Sequence, residues 1–132
     1  MTEKKILIVD DEPYTREMLK DAFEIEQYIV LTAESGEEAL NILKKETIHV
    51  MFLDLKLQGM SGVELCREVR KNIPVAIIYA ITGFASFFQI EDCLGAGFND
   101  YFIKPVSLDV LFKAAGEAFE KLERWDKQHA VK

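Results

Sequence analysis

Short apolar runs alternate along this chain with stretches whose apolar residues recur three to four positions apart, and three of the runs stop at a charge. Residues 6–9 run into Asp10 and Asp11, residues 50–53 into Asp54, and residues 101–103 into Lys104. Strands that alternate with helices imply a parallel sheet with helices on both faces. The carboxyl ends of parallel strands lie along one edge, and ligands bind in the crevice there. The pattern therefore predicts that three acids and one lysine, far apart in sequence, meet in one pocket.

The order of elements follows from the same reading. Residues 5–9 are nearly all apolar, as a central strand buried on both faces should be. Pro13 suits the first turn of a helix, and Met18, Leu19, Ala22 and Phe23 give it an apolar face to about Glu26. A β-prone run at 28–32 precedes Ser35 and Glu38, a capping box ahead of Ala39, Leu40, Ile42 and Leu43. A strand at 48–53 ends at Asp54, and the glycine-bearing loop 55–62 leads into a second capping box, Ser61 with Glu64. The third helix carries Val63, Leu65, Cys66 and Val69 and stops at Asn72 and Pro74. The run 75–81 leads to Thr82-Gly83, and a helix over 84–94 is ended by Gly95 and Gly97. A short strand at 101–103 closes at Lys104-Pro105, and Ser107 can cap a last helix striped by Leu108, Phe112, Ala115, Phe119 and Leu122. The domain is expected over 1–122, with 123–132 read as an extension of the last helix or a stub of linker.

Composition narrows the choice of function. At 132 residues and 49% hydrophobic, the chain fits one domain with a core. A net charge of −7 opposes attraction to nucleic acid or to an anionic membrane, so no direct role on either is expected. No apolar stretch approaches the ~20 residues that span a bilayer. Cys66 and Cys93 fall in helical patterns and read as buried or idle thiols of a cytoplasmic protein.

Adjacent acids after one strand and a third acid after another supply hard oxygen ligands for Mg2+, which needs only one or two carboxylates plus a phosphate oxygen and water. Without metal the three acids repel one another. An aspartate beside a metal can attack phosphorus to form an acyl phosphate, and Asp54 is the candidate nucleophile. Lys104 and the cation would stabilise the spread negative charge, with the Thr82 hydroxyl and nearby N–H groups donating hydrogen bonds. A single aspartate after a strand is more often a turn former than a ligand. It is the joint occurrence of Asp10, Asp11, Asp54, Thr82 and Lys104 at strand ends that favours a phosphoacceptor.

The ordered set Ile-Leu-Ile-Val-Asp10-Asp11-Glu12, Asp54-Leu-Lys-Leu-Gln-Gly-Met-Ser-Gly62, Thr82-Gly83, Gly95-Ala-Gly97 and Tyr101-Phe-Ile-Lys104-Pro105 resembles the response-regulator receiver domains of two-component signalling, of the standalone type, over about residues 4–122. The resemblance implies a flavodoxin-like α/β fold: a five-stranded parallel sheet of order 2-1-3-4-5 with five helices on both faces. It implies that Asp54 is the phosphoacceptor, that Asp11, Asp54 and the Lys56 backbone carbonyl bind Mg2+, with Mn2+ as a substitute, and that Asp10 holds the metal through water. Lys104 would pair with the phosphoryl group. Thr82 would be the switch hydroxyl and Tyr101 the coupled aromatic, and the Lys104-Pro105 bond is expected to be cis. Such a chain is a signalling phosphoacceptor rather than an enzyme with a separate substrate, though it assists its own phosphorylation and dephosphorylation. Its implied partners are a histidine kinase or histidine phosphotransfer protein and a downstream protein on the face of helix four, strand five and helix five. It would be a monomer or a phosphorylation-dependent dimer.

Some positions depart from that family's pattern. Gln58 stands where a proline is usual, and Pro74 lies eight residues before Thr82, farther than is common. Lys56 and Phe84 occupy the two variable positions that tune loss of the phosphoryl group, and their bulk predicts slow self-dephosphorylation. A receiver-like adaptor that works unphosphorylated through Phe84, Phe87 and Phe88 is the alternative, against core packing for the same residues. A magnesium phosphohydrolase would need an acid where Lys56 stands. Tyr14 and Met18 fit a kinase-docking surface or ordinary partial burial, and His49 and His129 are too few and too separated for a metal site.

Overall fold

The computed structural model describes residues 3–83 and 87–130, over which strands and helices alternate. The order is β1 (Lys5–Val9), α1 (Pro13–Ile25), β2 (Ile29–Ala33), α2 (Gly36–Lys45), β3 (Val50–Asp54), α3 (Gly62–Asn72), β4 (Ile77–Thr82), α4 (Phe87–Ala96), β5 (Asp100–Ile103) and α5 (Leu108–Ala130). All strand pairs are parallel, in the order β2-β1-β3-β4-β5. The expected fold is the one observed.

Alternation along the strands sorts side chains into two layers. Leu7, Val9, Met51, Leu53, Ile78 and Ala80 pack with residues of α2, α3 and α4, including Ala39, Leu65, Cys66, Val69 and Cys93. Ile6, Ile8, Val50, Phe52, Ile77, Tyr79 and Ile81 pack with Leu19 and Phe23 of α1 and Leu111, Ala114, Ala115 and Ala118 of α5. Aromatic rings run through this second layer from Phe23 to Phe52, Tyr79 and Phe102, with centroids 5.1–5.7 Å apart. Tyr79 ties the layer together: its buried hydroxyl donates to the Ala114 carbonyl at 3.0 Å, and burial foremost pushes its phenol up to about 12. Tyr79→Phe is expected to cost about 1 kcal/mol in urea-induced unfolding, the net worth of one such bond.

Several element ends differ from the sequence reading, because apolarity reports burial rather than strand pairing. Ile48 is buried ahead of the ladder, which begins at Val50. Val75 is half exposed and β4 starts two residues later. Tyr28 is excluded from β2 because its N–H closes α1 on the Phe23 carbonyl, after Gln27 turns at φ 72°. Gly95 lies inside α4. Gly97, at φ 108°, makes the turn, with the Phe98 N–H donating to the Cys93 carbonyl. Ser61 and Glu64 form the full capping box, and Ser107 caps α5 by accepting from the Val110 N–H. The box at α2 is only half made: Ser35 accepts from the Glu38 N–H, but the Glu38 carboxylate takes the Glu34 N–H. Residues 123–130 continue α5 as helix.

Cys66 and Cys93 are both free and buried, and burial is the main cause that raises both thiols, Cys66 to about 11. Alkylation of the native protein by iodoacetamide at pH 8 is therefore expected to be negligible until urea unfolds it, by thiol titration.

Candidate functional site

Asp10 follows β1 directly. Its N–H donates to the Ala33 carbonyl at 3.1 Å, and its Oδ1 accepts the Glu12 N–H at 2.9 Å, so the chain turns on its own aspartate. Glu12 caps α1 by accepting the Thr15 N–H, with Pro13 in the first turn. The Asp10 side chain is thereby held under the crevice while Asp11 stands exposed at its mouth.

Asp54 is the last residue of β3, and its Oδ1 accepts the Lys56 N–H at 3.0 Å. The loop beyond folds back tightly, with the Gly62 N–H donating to the Leu55 carbonyl. A Cβ at residue 62 would lie 2.2 Å from the Asp54 carbonyl oxygen, so only glycine allows α3 to start this close behind the acid. Lys104 enters from β5, anchored by its N–H on the Thr82 carbonyl at 2.7 Å, and its bond to Pro105 is cis as expected. Its Nζ sits 3.3 Å from Asp10 Oδ2 and 3.3 Å from Asp54 Oδ2.

The acids, the lysine and the end of β4 thus converge as the sequence predicts. Asp10, Asp54 and Thr82 are buried, and Asp10, Asp11 and Asp54 each place one carboxylate oxygen within 4.8 Å of the others. Burial above all raises the Asp54 carboxyl above the usual range, and the charge of Asp10 adds to it. The Lys56 N–H and Lys104 act in the opposite sense. For Lys104, burial pulls downward but the charges of Asp54 and Asp10 outweigh it, so the ammonium is held more firmly than usual.

Thr82 ends β4 one residue past Ile81, which is paired with Asp54. Tyr101 is half buried and packs on the α2–α4 side of β5. Lys56 is exposed and meets the site through its backbone. Phe84 lies outside the described residues, as do the side chains of Phe87 and Phe88. Tyr14 and Met18 on α1 are both exposed. His49 and His129 line one open groove at the opposite end of the sheet, with Lys5, Phe119 and Trp125. Among the described residues the group suited to a metal is the acid trio.

Two residues at the site escaped the sequence reading. Gly62 was legible as a loop end but not as a steric requirement. Arg16 reaches the turn after β1 from α1, its Nη1 donating to the Asp10 carbonyl at 2.7 Å. Its only sequence signal is that it is the one cation between residues 6 and 19.

Because the cluster lies where β1 and β3 leave the sheet side by side, at the switch in strand order, the fold and its crevice define an α/β domain that handles a phosphoryl group. The chain belongs to the response regulator receiver domain family, whose model matches residues 6–116. It is 38% identical over 106 residues to a probable transcriptional regulator, ycf27, of Guillardia theta, covering 80% of this chain and 41% of that protein. Among solved structures it resembles a CheY-like receiver domain from Methanospirillum hungatei, with 32% identity, a TM-score of 0.86 and coverage of 93% of this chain and 99% of that one. It also resembles TrrA from Thermotoga maritima, solved in complex with Mg2+-BeF, with 34% identity, a TM-score of 0.80 and coverage of 87% and 98%. The chain spans 28 to 44% of the length of the first curated relatives it matches. Among the described residues no helix is long and apolar enough to cross a membrane.

Proposed function

We propose that this receiver domain takes a phosphoryl group on Asp54 from a phosphohistidine of a histidine kinase or phosphotransfer protein and passes the signal to a protein partner in the cytoplasm. The observation that carries the reading is the placement of Lys104 between the carboxylates of Asp10 and Asp54, with Asp11 at the mouth of the same crevice. Three converging carboxylates form a hard oxygen donor set, which suits Mg2+ or Mn2+. Asp11, Asp54 and the Lys56 carbonyl would hold the ion directly and Asp10 through a water. When bound, it supplies positive charge to the transferring phosphoryl group.

Asp54 Oδ2 attacks phosphorus in line, forming an O–P bond as the donor N–P bond breaks. The electron pair leaves with the imidazole, which takes a proton from solvent. Lys104 keeps its proton throughout and moves from the carboxylate pair toward the phosphoryl oxygens. The Thr82 hydroxyl, at the end of the neighbouring strand, donates to the phosphoryl group in the active state, and Tyr101 repacks with it. The readout face is formed by α4, β5 and α5, where Leu94, Ile103 and Val110 are exposed. It serves a downstream protein or a second phosphorylated copy. The bulk of Lys56 and Phe84 slows attack of water, so alanine at both positions should speed loss of the phosphoryl group.

The test is intact-mass measurement after incubation with Mg2+ and acetyl phosphate. One added phosphoryl group, mapped to the peptide carrying Asp54 and absent with EDTA, is expected. No mass gain, together with no Mg2+-dependent stabilisation by beryllofluoride, would overturn the reading.

A further inference from the structure

We propose that Arg16 is a positioning residue for the metal-binding turn: through the Asp10 carbonyl it fixes the peptide that carries Asp11, and so sets the affinity of the crevice for a divalent cation. The inference rests on the receiver reading of the same crevice.

Arg16 is bound to this turn twice. Its backbone N–H donates to the Glu12 carbonyl at 3.0 Å in the first turn of α1, and its guanidinium reaches back to the Asp10 carbonyl at 2.7 Å. The side chain is only 14% exposed. Its other partner, Glu34 at 3.8 Å, is well exposed, and such a pair contributes little to holding it. The Asp10 carbonyl belongs to the peptide linking Asp10 to Asp11. Arg16 holds that carbonyl, and the Asp10 carboxylate takes the N–H of the following peptide, Asp11–Glu12. Asp11 thus lies between two peptides that are each held by a hydrogen bond, and loss of the Arg16 bond would free the first of them to rotate and swing the exposed Asp11 away from Asp54.

The two cations beside the acids therefore act differently. Lys104 bonds to carboxylate oxygens that a metal would use, whereas the Arg16 guanidinium bonds to a main-chain oxygen of this turn. A purely electrostatic role for Arg16 predicts that its removal deepens the negative potential and tightens cation binding. A positioning role predicts the reverse, and this difference in sign makes the proposal testable.

The experiment is calorimetric titration of the whole chain with Mg2+, comparing wild type, Arg16→Met, Arg16→Lys and Tyr79→Phe. Loss of a hydrogen bond that orients a metal ligand typically weakens binding about 10–100-fold, and Arg16→Met is expected at the lower end. Arg16→Lys, with a single ammonium, should fall between it and wild type. Tyr79→Phe, destabilised far from the crevice, should bind as wild type does, which separates positioning from general loss of stability. In phosphoryl uptake the Mg2+ concentration for half-maximal rate should rise in Arg16→Met, with the rate at saturating Mg2+ little changed. Should Arg16→Met unfold, Arg16→Lys against Tyr79→Phe carries the comparison. An unchanged or tighter Mg2+ affinity in the folded Arg16 variants overturns the proposal. Failure of the wild type itself to bind Mg2+ or accept a phosphoryl group overturns the receiver reading instead.

Discussion

Asp54→Asn is expected to abolish phosphoryl uptake outright while raising the thermal stability of the metal-free protein. The first effect follows because an amide oxygen is no nucleophile toward phosphorus under these conditions. The second comes from the cost of ionising a buried acid. Burial and the nearby Asp10 charge raise the Asp54 carboxyl despite Lys104 and the Lys56 N–H. A carboxyl that holds its proton more tightly when folded contributes stability that is complete below the ordinary carboxylate pKa and is lost as pH rises through the folded value. The asparagine escapes that loss. It still accepts the Lys56 N–H, and Lys104 keeps Asp10 as a partner. The melting difference between variant and wild type should be near zero in acid, open through the carboxylate range and level off at a few degrees by pH 7. Mg2+ should reverse the order, since a ligand at a hundred times its Kd adds about 2.7 kcal/mol to the folded state that holds it. A variant that melts below wild type at pH 7 in EDTA would show that the pair with Lys104 outweighs burial and repulsion.

That the acids could be located from sequence has a physical basis. Parallel strands bury both faces, so the first charges after an apolar run must lie at the sheet's edge, and Asp10, Asp54 and Lys104 sit there for that reason. Features that depend on a main-chain partner left no such trace. Arg16 and the Asp10 carbonyl, like Gly62 and the Asp54 carbonyl, meet through backbone atoms that every residue carries. Residues 123–130 were ambiguous because α5 outruns the sheet there. Lys121 lies over the Trp125 ring at 5.2 Å, and the surrounding turns are largely polar.

The same blind spot hid a polar clamp built on one side chain, and Arg70→Met is expected to lower stability by about 2–4 kcal/mol, or roughly 10 °C in Tm for a domain of this size. The Arg70 guanidinium makes five donor contacts from α3. Nε and Nη2 both reach the Gly97 carbonyl, Nη1 reaches the carbonyls of Pro74 and Ala76, and Nη2 also reaches Asn99 Oδ1. Asn99 passes the grip on to β4, since its Oδ1 accepts the Ile78 N–H and its own N–H donates to the Ile78 carbonyl. One side chain thus pins both the turn into β4 and the turn from α4 into β5. Gly97 is required twice, by its φ of 108° and because a Cβ there would lie 2.9 Å from Arg70 Cγ. Lysine cannot span the two turns with one ammonium, so Arg70→Lys should recover only a minor part of the loss. All these contacts lie at the end of the sheet remote from Asp54. Mg2+ affinity, measured where the variant remains folded, should therefore match wild type. A variant that weakens metal binding as much as it weakens the fold would show that the α4–β5 turn is coupled to the acid crevice rather than insulated from it.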